Sequence, residues 1–366
     1  MNKDQIIYLK GLNGLRAIAA ISVLIGHVTS FTHFDFNLPR VSIGFDGVTL
    51  FFTISGFLIT YLLLQERSQM HTVNIKKFYF RRILRIWPIY YLVILISLLL
   101  AFFDKNISDI YSCTLAYYIF FAANIPMILH TGISIIVHYW SIGVEEQFYL
   151  FWPWVVKLVR TKLIPVTIAI IFGLFFLKSA SWYFLGNHSI LYRSLAVTRF
   201  HCMLIGAVGA MLYKNQNKYF ISALTSKWVQ IIAWLLTGLL FLNFIALPAP
   251  VTAEITALVS LVLIIGQVEN TTYKVANLEN KLFDFLGKIS YGIYIIHPLV
   301  ILLFSYLYRN LNLSFILQTI VVYSSVIATT VLVAYLSYEF YEKPFLTLKK
   351  RYMIVKSASS MLIKGL

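Results

Sequence analysis

The chain of 366 residues is 60% hydrophobic and only 12% charged, and its mean hydropathy is +0.80. A soluble domain of this length carries about twice that share of charged residues, so the composition excludes a soluble globular protein and requires apolar surface that faces lipid. The formal net charge of +16 would suit nucleic acid, but the basic residues cluster between apolar stretches, which indicates membrane topology instead.

Ten apolar stretches each have the length and hydropathy of a membrane-spanning helix. They are residues 15–31, 47–65, 86–103, 139–158, 162–178, 198–213, 228–246, 253–268, 285–306 and 315–338. The basic clusters between them fall on one side of the membrane, which predicts that this side is cytoplasmic. The sequence therefore predicts an all-α polytopic membrane protein of about ten transmembrane helices, with cytoplasmic N- and C-termini.

An eleventh apolar segment, residues 112–129, does not fit this alternation. If it crossed the membrane, the basic cluster at residues 157–162 would lie outside. Asn124 and Pro126 interrupt the segment. These interruptions predict a re-entrant segment, or one that lies along the outer interface.

The chain has no polar stretch longer than roughly 20 residues, which leaves no room for a separate soluble domain. We predict one integral membrane domain over residues 1–345, followed by a basic cytoplasmic tail over residues 346–366. The membrane domain must therefore carry the function.

The first predicted helix contains the stretch GLRAIAAISVLIGH, in which an arginine and a histidine flank ten uncharged residues. Eleven helical steps of about 100° bring Arg16 and His27 to the same face, roughly 16 Å apart along the axis. Arg16 is then at the cytoplasmic end and His27 in the outer half of the membrane. His297, about 12 residues into a later helix that also starts inside, reaches a similar depth. Ionisable groups at such depths are costly and usually functional.

The fourth predicted helix enters the membrane from outside with the stretch HYWSIGVEEQFYLFWP. Helical spacing places Ser141 and Glu145 on one face, and the predicted depth of Glu145 brings it within reach of His27. A buried carboxylate beside an imidazole fixes the tautomer of the ring and raises its basicity, as a general base for a hydroxyl requires. An inert ion pair that holds two helices together is the alternative interpretation.

The stretch FYFRRILRIWPIYY places Arg82 and Arg85 one helical turn apart beside a predicted helix start. Guanidinium groups suit phosphates, so a phosphate-bearing ligand is expected there. A positive-inside anchor at the membrane surface is the alternative. On the outer side, Arg199 either snorkels to the interface or binds substrate, and the sequence does not decide between the two.

Six stretches resemble, in order, those of the acyltransferase-3 family of integral membrane O-acyltransferases. They are GLRAIAAISVLIGH, GVTLFFTISGFL, RRILRIWP, WSIGVEEQFYLFWP, LGKISYGIYIIHP and YEFYEKPF, and the resemblance covers essentially the whole chain. The matching family patterns are Arg–ten residues–His at Arg16 and His27, RxxR at Arg82 and Arg85, SxxxE at Ser141 and Glu145, RF at Arg199, and ExP at Glu342 and Pro344.

The resemblance implies an enzyme that moves an acyl group, usually acetyl, from cytoplasmic acyl-CoA to a sugar hydroxyl on the far side of the bacterial inner membrane. The implied acceptor is a cell-surface polysaccharide or its lipid-linked precursor, of O-antigen or exopolysaccharide type. Acetyl-CoA is expected as co-substrate, with no tightly bound cofactor, no metal and no nucleic-acid partner. Some relatives carry a soluble SGNH hydrolase-like domain, whereas a stand-alone membrane domain is expected here.

By the same resemblance, Arg82 and Arg85 bind the phosphates of acyl-CoA, with Arg16 at the mouth of the channel. His27 is the general base for the acceptor hydroxyl, and Glu145 orients it. The further side chains that are expected to line the site or contact the acceptor are Ser141, Arg199, His297, Tyr291 and Trp140.

Several alternatives stay open. The enzyme could form an acyl-histidine intermediate instead of transferring the acyl group directly. The acceptor could be a lipid or a small molecule. In a different class of protein, a transporter or flippase for a lipid-linked sugar would use the same charges to line a pathway. The sequence also leaves open whether the protein forms a homodimer.

Overall fold

The structure is a computed structural model that describes residues 9–30, 44–242, 244–245, 247–269, 274–308 and 313–355. Within these residues it has fifteen α-helices and no β-strand. The helices are α1 (Leu12–Ser30), α2 (Gly44–Met70), α3 (Ile75–Phe103), α4 (Leu115–Ile119), α5 (Asn124–Leu129), α6 (Trp140–Leu158), α7 (Leu163–Leu185), α8 (Ile190–Thr198), α9 (Phe200–Lys214), α10 (Lys218–Thr225), α11 (Lys227–Phe241), α12 (Ala249–Val268), α13 (Lys281–Leu307), α14 (Phe315–Ser337) and α15 (Lys343–Lys349). Short 3-10 or π-helical turns occupy Lys105–Tyr111, Ser134–Tyr139, Tyr338–Glu342 and Lys350–Tyr352.

Seven helical stretches in the described part of the chain are long and apolar enough to cross a membrane, and α8 and α9 together form one of them. The bent pair α10 and α11 makes an eighth if it counts as one crossing, and α1 is a shorter apolar helix. Each of the ten predicted apolar windows falls on a helix, which agrees with the predicted all-helical, multi-pass architecture. The count of ten crossings and the side of the termini stay predictions, and residues 1–8 and 356–366 lie outside the described residues.

Burial divides the helices into an inner and an outer layer. In α2, α12 and α13, 72% of the apolar stretch is buried inside the protein, whereas in α7 and α14 only 17% is buried. An apolar helix that stays exposed at the protein surface must be covered by lipid. α1 packs against both α13 and α2, so these three helices form the centre of the bundle.

The closest helix pairing joins α2 and α9 and depends on two glycines. A Cβ atom on Gly56 would lie 1.9 Å from the carbonyl oxygen of Met203, and one on Gly206 would lie 2.1 Å from the carbonyl oxygen of Thr53. The two backbones are therefore in direct contact, as small residues allow in membrane helices. This contact fixes the position of α2, which forms one wall of the site described below.

The third helix begins earlier than its apolar window predicts. The window opens at residue 86, whereas α3 begins at Ile75, after the side chain of Asn74 caps its first turn. The first turns are rich in lysine and arginine, which favour helix formation but lower the hydropathy of the window. Arg82 and Arg85 therefore lie inside the helix, not beside its start, which corrects that expectation.

Residues 112–129 contain no single helix. They form the short helices α4 and α5, and Asn124 and Pro126 lie in the first turn of α5. Phe121 and His130, on either side of α5, have positive φ angles of 56° and 58°, which turn the chain. The segment therefore does not form a continuous span. Its re-entrant or interfacial position stays a prediction.

A buried charged cluster ties the outer helix α7 to the inner layer. Lys178 of α7 forms an ion pair with Glu254 of α12, and His201 Nε2 of α9 lies 3.1 Å from Oε1 of the same glutamate. The side chains of Lys178 and His201 are each only 2% exposed. Buried charges are tolerated when they are paired with each other, and this cluster satisfies that condition.

We expect Gly56→Ala and Gly206→Ala to destabilise the protein, because each new methyl group meets a backbone carbonyl. Overpacking of this kind costs about 1–3 kcal/mol or more. Thermal unfolding of the purified protein in detergent measures the effect as a lower Tm.

Gly173→Ala is the matched control, since a Cβ atom there has no neighbour within 4 Å. It should keep or slightly raise the Tm, because alanine is the better helix former by about 1 kcal/mol. Equal Tm values for all three variants would contradict the close contact between α2 and α9.

Candidate active site

Two histidines from different helices form a hydrogen-bonded pair in the centre of the bundle. His27 Nδ1 on α1 lies 2.7 Å from His297 Nε2 on α13, and the rings are stacked with centroids 5.0 Å apart. His297 is fully buried, whereas His27 keeps part of its surface exposed. The structure thus places both histidines at one depth, as the sequence predicts.

The partner of His297 determines which nitrogen of each neutral ring carries hydrogen. His297 Nδ1 lies 3.1 Å from the carbonyl oxygen of Ile293. A carbonyl oxygen only accepts hydrogen bonds, so Nδ1 of His297 carries the hydrogen and its Nε2 accepts one from Nδ1 of His27. Nε2 of His27 is then the nitrogen with the lone pair, which is the state that a general base requires.

A third histidine and a tyrosine adjoin this pair. The ring of His138 lies 5.1 Å from the ring of His297 and 5.6 Å from that of Tyr294, between centroids. The Tyr294 hydroxyl donates to the carbonyl oxygen of His138 at 3.0 Å, and the Ser141 hydroxyl lies 2.6 Å from the Tyr294 hydroxyl. Among the described residues, no group of three or more His, Cys, Asp or Glu side chains is placed to hold a metal ion.

The predicted contact between Glu145 and His27 is not formed. The Glu145 carboxylate accepts hydrogen bonds from the Ser55 hydroxyl at 2.8 Å and from the Tyr149 hydroxyl at 3.0 Å. Its position four residues after Ser141 puts it about 6 Å further along α6, away from the histidines. The expectation that Glu145 orients His27 by direct contact is therefore wrong, and His297 is the hydrogen-bonded neighbour instead.

A cavity that is open on one side extends between α1, α2, α3, α6 and α13, and the empty space in it, including the part open to solvent, is about 770 Å³. Arg16, Arg82 and Arg85 line one end of it, and Ser141 and Tyr294 line the other. α1 is one continuous helix, so Arg16 and His27 are separated by roughly 16 Å along its axis. The cavity therefore extends from the arginines to the two hydroxyl groups. His27 and His297 are not part of its lining, but the ring of Tyr294, which is, lies 6.0 Å from the ring of His297 between centroids.

The arginines that line the cavity have no carboxylate within ion-pair distance among the described residues. The Arg82 guanidinium lies over the rings of Phe78 and Tyr149, 5.6 Å and 5.5 Å from their centroids, which holds it in place. Its Nε atom is buried without a protein hydrogen-bond partner. The Glu145 carboxylate lines the same cavity and attracts two of these cations from beyond ion-pair distance. Three converging cations exceed this one negative charge, and an anionic ligand offsets the remaining repulsion.

Tyr291 lines the same cavity and also a second one, of about 650 Å³, that shares Arg16 and Arg85 with it. The Tyr291 hydroxyl donates to the carbonyl oxygen of Ile86 at 3.0 Å. Its ring therefore joins α13 to α3 at the charged end of the cavity. Its part in binding a ligand stays a prediction.

Arg199 and Trp140 lie together, outside the lining of this cavity. The Arg199 guanidinium lies 5.6 Å from the Trp140 ring centroid and donates to the Thr49 hydroxyl at 2.9 Å and to the carbonyl oxygen of Ala196 at 2.7 Å. Arg199 has a left-handed backbone with φ of 43°, between α8 and α9. The structure thus separates these two residues from the arginines of the cavity, and their contact with an acceptor stays a prediction.

Several residues of the site were not among the predicted ones. Ser55, Tyr149 and Tyr294 line the cavity and make its hydrogen bonds. Helical spacing contains a signal for two of them, because Tyr294 precedes His297 by three residues and Tyr149 follows Glu145 by four. Ser55 has no such signal, because its partner is on a different helix.

The fold and the site together define a multi-pass helical membrane protein with a cationic cavity and a hydrogen-bonded pair of histidines. A family model described as an acyltransferase domain matches residues 9–339, so the chain belongs to the acyltransferase-3 family.

The relatives are bacterial proteins. The one named "Putative O-acetyltransferase SACOL0978", from Staphylococcus aureus strain COL, is 29% identical over 372 residues, covering 92% of this chain and 57% of the relative. The O-acetyltransferase OatA of Staphylococcus aureus strain NCTC 8325 is 28% identical over 364 residues, with the same coverage. This chain thus spans little more than half the length of these relatives. No solved structure matches it.

We expect inorganic pyrophosphate to raise the Tm of the purified protein, because it neutralises the unpaired arginines. A ligand at 100 times its Kd stabilises the folded state by about 2.7 kcal/mol. The double variant Arg82→Gln/Arg85→Gln should lose this rise and, without pyrophosphate, should be at least as stable as the parent protein.

Arg351→Gln, which removes an exposed arginine near the same end of the bundle, is the control and should keep the rise. The comparison uses sodium chloride at matched ionic strength, since salt alone screens charge repulsion. A rise that persists in the double variant would show that these arginines do not bind the anion.

Proposed function

We propose that this protein transfers an acyl group, acetyl in the first instance, from cytoplasmic acyl-CoA to a hydroxyl group of a cell-surface polysaccharide or its lipid-linked precursor. Transfer takes place across the bacterial cytoplasmic membrane, with the acceptor on the outer side. The observation that carries the proposal is a cluster of arginines, without an ion-pair partner in the described part of the chain, at one end of a cavity whose other end is lined by Tyr294, a ring neighbour of His297. The family and the O-acetyltransferase names of the relatives support it.

The donor enters from the arginine end. Arg82 and Arg85 bind the phosphates of CoA, because guanidinium groups match phosphate oxygens in charge and geometry, and Arg16 adds a third cation. The pantetheine arm then extends along the cavity towards His27, a distance of roughly 16 Å. The hydroxyl groups of Ser141 and Tyr294 lie at the far end. The hydrogen of Tyr294 is used by the carbonyl oxygen of His138, so Ser141 is the group that can turn its hydrogen towards the thioester carbonyl oxygen.

His27 acts as the general base. Its Nε2 removes the proton of the acceptor hydroxyl, whose oxygen attacks the thioester carbonyl carbon and forms a tetrahedral intermediate. The carbon–sulfur bond then breaks, and the proton passes from His27 to the leaving thiolate, which yields free CoA and the O-acyl ester. His297 holds the productive tautomer of His27 throughout, through the hydrogen bond between their rings.

Glu145 is a positioning residue in this proposal. Its carboxylate joins Ser55 of α2 to Tyr149 of α6, and Tyr149 in turn supports the Arg82 guanidinium. It also lies close enough to Arg16 and Arg82 to attract both. Glu145 therefore holds α2 and α6 at a fixed distance and helps to position the arginines, without contacting His27.

We expect the purified protein to consume acetyl-CoA, and cells that carry it to have a surface glycan heavier by one acetyl group than cells that lack it. Mass spectrometry of the glycans and a thiol assay for released CoA check both results. A transporter or flippase would not release CoA. If no CoA is released and the glycan mass does not differ, the proposal is contradicted. A stable acetylated protein in the absence of acceptor would instead show that the reaction goes through an acyl-histidine intermediate and not by direct transfer.

We expect His27→Ala to lower kcat by about 10²–10⁴-fold, which is the contribution of a general base. His297→Leu should lower kcat about 100-fold, because His27 loses the acceptor that fixes its tautomer. His297→Gln should retain most of the activity, since its amide oxygen can accept the same hydrogen bond.

The KM for acetyl-CoA should stay unchanged in these variants, because the phosphates bind elsewhere. His188→Leu, at an exposed position, is the control and should leave kcat unchanged. If His297→Gln and His297→Leu lose the same amount of activity, the tautomer role of His297 is wrong.

A further inference from the structure

The chain that follows α14 folds across the arginine end of the bundle. It continues through the π-helical turn into α15, which packs against α3. The Arg81 guanidinium donates to the carbonyl oxygen of Tyr352 at 2.9 Å, and the rings of Phe80 and Tyr352 stack with centroids 4.9 Å apart. The predicted start of the tail at residue 346 therefore falls inside a packed helix, and residues 346–352 are part of the fold.

Lys349, the last residue of α15, faces the cavities at this end. It lines the second cavity together with Arg16 and Arg85, and it lines a third cavity, of about 490 Å³, together with Arg82. Lys349 does not line the first cavity, but that cavity shares Arg16 and Arg85 with the second and Arg82 with the third. The lysine and all three arginines are near enough to repel one another.

The acidic residues near Lys349 do not pair with it. Glu66 is bound to Arg81 at 2.9 Å. Asp284 is bound to Lys288 at 2.7 Å. Glu342, which also lines the second cavity, lies 3.4 Å from the Ser337 hydroxyl. Among the described residues, Lys349 has no carboxylate within ion-pair distance.

This arrangement differs from a positive-inside anchor. Residues of such an anchor extend to the membrane surface, where they meet lipid headgroups and water. Lys349 instead faces the arginines across shared cavities, although its long side chain has the freedom to turn outward. A lysine and three arginines that converge, with no carboxylate at ion-pair distance in the described part of the chain, provide the charge and the donors for a ligand with several phosphates.

We propose that Lys349 is a donor-binding residue that contacts a phosphate of the nucleotide part of acyl-CoA, and that α15 forms the cytoplasmic wall of the donor site. This inference rests on the proposed function and adds a residue, from a segment after the last long helix, to the three arginines. The nucleotide end of CoA then occupies the second and third cavities, while the pantetheine arm occupies the first.

The test compares acetyl-CoA with acetyl-pantetheine, which has the same thioester but lacks the nucleotide. Lys349→Ala should raise the KM for acetyl-CoA about tenfold or more and leave kcat within about twofold of the parent value. A tenfold change corresponds to the contribution of one hydrogen bond to a charged group. Kinetics with acetyl-pantetheine should be the same in the parent protein and the variant. Lys349→Arg should restore the KM for acetyl-CoA, because it keeps the positive charge.

Lys350→Ala removes the neighbouring lysine, which does not line these cavities, and should change nothing. Direct binding of CoA, measured by titration calorimetry, separates the two proposals. A parent protein that does not bind CoA would overturn the proposed function. A parent protein that binds CoA, with a Lys349→Ala variant that binds it equally tightly, would overturn the role of Lys349 alone. Lys349→Met covers the case in which the alanine variant fails to fold.

Discussion

Every charge inside a membrane protein must be compensated by the protein itself or by a ligand, because lipid supplies neither water nor counter-ions. This constraint sorts the charged side chains of the bundle into two groups. The first group is paired: Lys178 with Glu254, and Arg81 with Glu66. The second group is the set of arginines that line the main cavity, which lack a carboxylate partner among the described residues. The paired charges join neighbouring helices, and under the proposed function the arginines of the second group bind the ligand.

The position of α2 links the architecture to the chemistry. Gly56 lets one face of α2 approach α9 until the backbones touch. Ser55, the preceding residue, faces the other way and donates to Glu145 on α6. On the same helix, Thr49 accepts a hydrogen bond from Arg199. One helix thus sets the width of the cavity on one face and contacts the separate site of Arg199 and Trp140.

The groups of the site are ordered by depth. The arginines and Lys349 lie at one end of the cavity, Glu145 and Tyr149 follow, then the hydroxyls of Ser141 and Tyr294, and then the histidine pair. This order suits a long ligand with an anionic head and a reactive end, because each zone meets a different part of it. Glu145 lies nearer to the arginines than the sequence predicts, and its carboxylate is attracted to Arg16 and Arg82.

The sequence by itself determined where the helices lie and which residues are candidates for the site. Hydropathy located a helix in each of the ten windows, and helical periodicity placed Arg16 and His27 on one face and His297 at the depth of His27. The helices and the contact between the two histidines are present in the structure, whereas the shared face of Arg16 and His27 stays a prediction. Spacing predicts such features because they depend on distances along a single helix or on the depth of a residue in the membrane.

Only the tertiary structure decided which groups touch. In the structure, His27 is hydrogen-bonded to His297, and the Glu145 carboxylate accepts hydrogen bonds from Ser55 and Tyr149. The tertiary structure also brought Lys349, from the predicted tail, to the arginines. These contacts join helices far apart in the chain, and they depend on the rotation and axial shift of one helix against another. Packing sets both quantities, through close contacts such as that of Gly56 with α9, and no periodicity within one helix encodes them.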